Sequence, residues 1–159
     1  MAWFRREKPK IADGEPEEKR TVNTEGIFVK CPECDNALYK RELTESHEVC
    51  THCGYHFRYS AMDRLALVFD NEEFETLDEN ITSGDPLEFF DSKPYPDRVK
   101  QAKASSGLDE AVVTAKGTIG GHKVYAGAMD MSFIGGSMGS AVGEKLTRAI
   151  EYALKDNAG

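Results

Sequence analysis

Residues 31–53, CPECDNALYKRELTESHEVCTHC, hold all four cysteines of the chain, as two CxxC pairs with fifteen residues between them. Four thiolates complete the tetrahedron that Zn2+ prefers, at Zn–S distances of ~2.3 Å. A two-residue gap lets both sulfurs of a pair reach one ion, and fifteen residues suffice for a hairpin that carries the second pair across from the first. Turn-forming residues accompany each pair, Pro32 and Asp35 at the first, His52 and Gly54 at the second. The spacing therefore reads as one structural zinc held by Cys31, Cys34, Cys50 and Cys53. All four positions are filled by protein, which leaves no open place for water or substrate and argues against a catalytic ion. Iron in the same tetrahedron, or a transient redox pair, are the chemical alternatives. Structural disulfides suit an oxidising compartment, and the start of the chain, MAWFRREKPK, lacks the apolar centre of a secretory signal. His52 and His56 lie close enough in sequence to replace a cysteine but read more simply as surface imidazoles. His47 and His122 have no visible partner.

Outward from the cysteines, residues 27–59 form the module, with short β-like pieces at IFVK, ALYKREL, HEVC and YHFRY. So small a unit buries too little apolar surface to fold alone, and metal binding supplies the energy. YKR (39–41) and YHFRY (55–59) interleave aromatic and basic residues as a nucleic-acid surface would. Packing of those aromatics against a neighbouring domain is the favoured reading. Net charge is −8, and residues 58–110 carry 13 Asp/Glu against 6 Lys/Arg, which opposes broad phosphate binding. No apolar run reaches the roughly 20 residues a membrane helix needs, so the chain reads as cytoplasmic.

Residues 1–26 read as a flexible leader with almost nothing apolar to bury. Ser60 is placed to cap a helix whose Met62, Leu65, Ala66 and Phe69 make an apolar stripe. EFETLDENI (73–81) alternates as a strand does, 82–97 is a loop, and DRVKQAKASSG is a polar helix stopped by Gly107. AVVTAKGTI and KVYAGAMDM, separated by GGH, signal a hairpin. The last segment, AVGEKLTRAIEYALKD, places Val142, Leu146, Ala149, Ile150, Ala153 and Leu154 on one helical face. Between hairpin and helix lies FIGGSMGS. Backbone amides at such a helix start can hold an anion, yet the motif is no nucleotide fingerprint and by itself reads as a tight turn. A helix following strands normally leads back to another strand. Residues 60–159 accordingly read as the start of an α/β domain whose remainder is absent, prone to aggregation or partial disorder beyond about residue 110.

Taken in order, the ribbon ending CTHCGYHFRYSAMDRL, the segment DSKPYPDRV, the pair AVVTAKGTIGGHKVYAGAMDMSFIGGSMGS and the helix VGEKLTRAIEYALKDN resemble the β subunits of bacterial acetyl-CoA carboxylase carboxyltransferase. The resemblance implies an α+β or α/β chain: a leader over 1–26, a four-cysteine zinc ribbon over 27–59, linking helices and a strand over 60–110, and the first ββα part of a crotonase-like (ClpP/crotonase) domain over 111–159. It implies transfer of a carboxyl group from carboxybiotin, on a biotin carboxyl carrier protein, to acetyl-CoA, giving malonyl-CoA for fatty-acid synthesis. The implied partners are an α subunit, in an α2β2 enzyme, and a separate biotin carboxylase that consumes the ATP. Biotin comes on the carrier and is not attached here. Cys31, Cys34, Cys50 and Cys53 match the zinc ligands. Gly135, Gly136 and Ser137 are placed at the wall of the CoA site, and the principal catalytic donors are expected beyond residue 159. The rival readings are a nucleic-acid-binding ribbon and a zinc-stabilised assembly domain without catalysis.

Overall fold

A computed structural model describes residues 26–159, and the leader expected over 1–26 lies outside these apart from Gly26. Strand β1 (Phe28–Lys30) pairs antiparallel with β2 (Ala37–Tyr39), Val29 standing opposite Leu38. The chain then turns into helix α1 (Lys40–Glu45). The piece ALYKREL thus divides: ALY stays extended, while Lys, Arg, Glu and Leu favour a helical turn that swings Leu43 inward. Leu38 and Leu43 join Cys31 and Cys50 in a small core, with Val29 and Phe57 packed against it. HEVC and YHFRY, expected as β pieces, contribute one isolated bridge, Val49 to His56.

Helix α2 (Ala61–Val68) starts as its sequence indicates, with the Asp63 N–H donating to Ser60 Oγ at 3.1 Å. Of the expected stripe, Leu65 and Phe69 are buried and Ala66 is partly buried, but Ala61 takes the place of Met62. Ala61, Leu65 and Phe69 are buried at i, i+4 and i+8, whereas Met62 is 41% exposed. Strand β3 (Phe74–Leu77) is followed by a loop over 78–94 and by α3 (Tyr95–Ser106), which begins earlier than DRV and ends at Gly107 in the left-handed region.

Strands β4 (Val112–Ile119) and β5 (His122–Met129) form the expected hairpin, and β3 adds antiparallel to the outer side of β4. The hairpin turns through Gly120 and Gly121, both with positive φ, as a two-residue turn between right-twisted strands requires. Asp70 clamps this turn, its two carboxylate oxygens accepting from the Gly120 and Gly121 N–H groups at 2.8 Å each.

Period-two alternation sends β4 and β5 residues to two covered faces. Ala115 and Ala128 meet Ala61, Leu65 and Phe69 on one side, with Val113, Val124 and Ala126 beside them. Val112 meets Ala102, Ala111, Phe133 and Val142 on the other. Here α3 contributes Ala102 and the long helix α4 (Ser140–Asp156) contributes Val142. The mixed α/β architecture is therefore a sheet with helices on both faces, carrying a ribbon at its front. Only part of the expected apolar face of α4 is covered: Val142 and Ala149 are buried, but Ile150 and Leu154 are 62% and 77% exposed. After α4 the chain re-enters the sheet. Gly159 donates to Lys123 O at 3.1 Å and accepts from the Tyr125 N–H at 2.8 Å, a parallel bridge beside β5.

Candidate metal centre and glycine-rich cleft

Two loops of nearly identical backbone geometry carry the cysteines. In the first, the Cys31 N–H donates to Asn36 O at 2.9 Å and the Asp35 N–H to Cys31 O at 3.0 Å. In the second, the Cys50 N–H donates to Tyr55 O at 2.7 Å and the Gly54 N–H to Cys50 O at 2.9 Å. Asp35 and Gly54 occupy equivalent places and both have positive φ. Each loop folds its pair of sulfurs to one side, and all four Sγ atoms lie within 4.8 Å of one another.

Across the two loops, Cys31 Sγ lies 3.7 Å from Cys53 Sγ, and Cys34 Sγ lies 3.8 Å from Cys50 Sγ. A tetrahedron of sulfurs ~2.3 Å from a central ion has edges of ~3.8 Å, so the donor set fits zinc in number, chemistry and spacing. The electrostatics agree. The Asn36 N–H and its side-chain amide, the latter 3.3 Å from Cys34 Sγ, bring the Cys34 thiol down to about 6. At Cys53 the Tyr55 N–H acts downward, but desolvation and the neighbouring thiols outweigh it and push the group up to about 12. A bound dication would favour the thiolate form of each ligand. The four cysteines are positioned to bind one zinc ion. His52 and His56 are exposed and stand outside this cluster, as does His47. Of the aromatics, Phe57 packs on the ribbon core and meets Tyr55 edge-on at 5.2 Å, while Tyr39 and Tyr55 remain over a third exposed.

The FIGGSMGS segment begins with buried Phe133 and passes through three consecutive positive-φ residues, Ile134, Gly135 and Gly136. Its amides are partly consumed by the turn itself, with the Gly136 N–H donating to Phe133 O and the Ser137 N–H to Ile134 O. Those two N–H groups are not oxyanion donors in this arrangement. Two neighbouring clefts flank the segment. Ser137 lines one of about 440 Å3, together with Leu87, Phe89, Tyr95, Arg98 and Ser140. Gly135 lines the other, of about 550 Å3, with Lys93, Arg98 and Gln101. Gly136 instead faces Met131, whose Sδ would stand 2.7 Å from an added Cβ. Arg98 belongs to both clefts and is paired with Asp91.

Two stretches of the chain match known domain families in this same order. Residues 28–53 match the acetyl-CoA carboxylase zinc finger domain and residues 88–159 the carboxyl transferase domain. The β subunit of acetyl-coenzyme A carboxylase carboxyl transferase from Pedobacter heparinus is 45% identical over 155 residues, covering 98% of this chain and 54% of that one. The subunit of the same name from Chlorobium chlorochromatii is 46% identical over 155 residues, with the same coverage. The chain is thus similar, from the ribbon to the last helix, to acetyl-CoA carboxylase carboxyl transferase β subunits. It spans about half the length of the curated relatives it matches. Among solved structures, transcarboxylase 12S is similar over 62% of this chain and 17% of that one, at 24% identity and a TM-score of 0.46.

Three polar residues of structural weight escaped the sequence reading. Buried Asp130 accepts from the Ala61 N–H, at 2.8 Å, and from the Ser132 N–H and hydroxyl, tying α2 to the end of β5. Glu110 and Lys145 are each only 4% exposed. For Lys145 a signal existed, since it falls at helical spacing between Val142 and Ala149 on the buried stripe of α4.

Proposed function

We propose that this chain serves as the zinc-ribbon-bearing part of a carboxyltransferase β subunit. The reaction is transfer of the carboxyl group of carboxybiotin, presented on a biotin carboxyl carrier protein, to acetyl-CoA, yielding malonyl-CoA. The observation that carries the reading is the order of zinc finger and carboxyl transferase segments on one chain, with relatives at 45–46% identity over nearly all of it. A carboxyltransferase α subunit, in an α2β2 enzyme, and a biotin carboxylase are the partners this reading requires. No helix among the described residues is long and apolar enough to cross a membrane, and reduced cysteines suit the cytoplasm.

Zinc, held by Cys31, Cys34, Cys50 and Cys53, would fold the ribbon and take no part in carboxyl transfer, because protein fills its coordination sphere. Removing a proton from the acetyl group requires hydrogen-bond donors aimed at the enolate oxygen. The N–H groups of Gly136 and Ser137 are engaged elsewhere, so we assign Gly135, Gly136 and Ser137 to the cleft wall and not to the donor set. We place the donors in the half of the β subunit that this chain does not span and in the α subunit. The module boundaries at 27–59, 60–110 and 111–159 belong to the same proposal.

The test is a chimera in which this chain replaces the corresponding half of the Pedobacter heparinus β subunit, assembled with that organism's α subunit. Malonyl-CoA formation from acetyl-CoA and carboxybiotin, at a rate of the same order as the parent, is expected. A chimera that assembles and binds one zinc yet forms no malonyl-CoA overturns the assignment.

A further inference from the structure

Glu110 and Lys145 are buried charged side chains that line a cavity of about 230 Å3, separate from the 440 Å3 cleft. Charges are seldom buried so deeply without a definite partner. One oxygen of Glu110 accepts from the Ser83 N–H at 2.6 Å, joining the threshold of β4 to the middle of loop 78–94. The ends of the loop are tied down separately, Asp78 to Arg148 and Tyr152 of α4 and Asp91 and Lys93 to α3. The other bonds of its middle are local: the Ile81 N–H to Asp78 O, the Glu88 N–H to Asp85 O, and the Phe89 N–H to the Asp85 carboxylate. The bond to Glu110 therefore anchors the loop's middle to the sheet. Immediately after Ser83 come Gly84 and Asp85, which line the cleft.

The opposite side of Ser83 is also fixed. Its Oγ is buried without a hydrogen-bond partner among the described residues, and it would stand 3.3 Å from a Cβ added at Gly139. Gly139 is the N-cap of α4, next to Ser140 of the cleft wall. Ser83 is thus wedged between a carboxylate and the bare backbone of a helix start. Lys145 lies farther along α4, where burial pulls its amine below the ordinary lysine range against the opposing effect of the Glu110, Asp78, Asp109 and Glu79 carboxylates.

We propose that Glu110 is a positioning residue for the cleft: by holding the Ser83 N–H it sets the separation between loop 84–89 and the start of α4. The importance of that separation for an acyl-CoA ligand rests on the function proposed above; the positioning itself does not.

The test uses amide exchange and amide chemical shifts of the chain, free and titrated with acetyl-CoA. In Glu110→Met the Ser83 amide is expected to exchange about ten- to a hundredfold faster, the loss of a hydrogen bond to a charged acceptor. The amides of Asp85, Ser137 and Ser140 are expected to shift, and acetyl-CoA to bind more weakly. Glu110→Gln, which keeps an acceptor oxygen, is expected to restore the Ser83 protection and the cleft shifts. Gly139→Ala, pressing on Ser83 from the other side, is expected to move the same cleft amides. Wild-type exchange and shifts in Glu110→Met, or a Gln variant as disturbed as the Met variant, overturns the proposal. Should Glu110→Met not fold, the Gln and Gly139→Ala variants decide, and unmoved cleft amides in the latter overturn it. If these shifts appear while acetyl-CoA perturbs no cleft amide of the wild-type chain, the positioning stands and the acyl-CoA reading falls.

Discussion

Asp70 shows how much one half-buried carboxylate can organise. The Gly121 N–H, and next the Gly120 N–H, hold its carboxyl below the ordinary aspartate range. A group whose folded value is depressed stabilises fully above its unfolded value, ~3.9 for Asp, and loses that contribution as pH falls through the folded value. Asp70→Asn, which turns one acceptor into a donor facing an N–H, is expected to lower the thermal midpoint at neutral pH. It is also expected to flatten the acid limb of a midpoint-against-pH curve. An unchanged acid limb would show that the clamp does not contribute. Gly117 acts through absence. A Cβ there would meet Phe69 Cδ1 at 2.6 Å and Glu73 O at 2.9 Å. Gly117→Ala is therefore expected to cost about 1–3 kcal/mol by overpacking, read from urea denaturation; a neutral result would mean that α2 shifts freely on the sheet. Neither role is legible in the sequence, because the partners lie far away along the chain. The same holds for Glu110: a glutamate before a β-branched run looks like a solvated charge until Ser83 is brought to it.

At the scale of elements, legibility followed the range of the interactions that decide each one. The ribbon's ligands, the Gly120–Gly121 hairpin, the Ser60 cap and the Gly107 stop rest on residues near one another, and all four stand where their spacing puts them. α1 was missed because a single helical turn inside a β-like module depends on where Leu43 finds the ribbon core. The glycine-rich segment was located, but its hydrogen bonding was not: the turn's own carbonyls engage the amides of Gly136 and Ser137. A test at this scale follows from the small size of the ribbon core, in which Cys31 and Cys50 are themselves buried members. Zinc analysis is expected to give one ion per chain. Chelation is expected to abolish amide protection across 27–59 while leaving β4, β5 and α4 protected, since their cores contain no cysteine. A ribbon that stays protected without metal would refute this dependence.

For the whole molecule, two surface properties oppose each other. The formal charge of −8 keeps copies apart, while apolar side chains are left uncovered: Leu87, Phe90, Met138, Ile150 and Leu154 are each more than 60% exposed. Ile150 and Leu154 are four residues apart on α4 and so share one helical face, while Val142 and Ala149 of the same helix are buried. Such a face associates once repulsion is weakened. At low ionic strength the charge is felt across the distance between approaching molecules; at ~0.15 M salt the screening length shrinks to about 8 Å. Self-association of the chain is therefore expected to rise with salt, the reverse of what ion pairs would give. Sedimentation velocity over a range of protein concentrations measures it directly. Ile150→Glu with Leu154→Glu adds charge to the uncovered face without touching the buried stripe, and is expected to return the chain to monomer at every salt concentration. Association that weakens with salt, or that survives the double substitution, would place the contact elsewhere and make it electrostatic or centred on the Leu87–Phe90 loop.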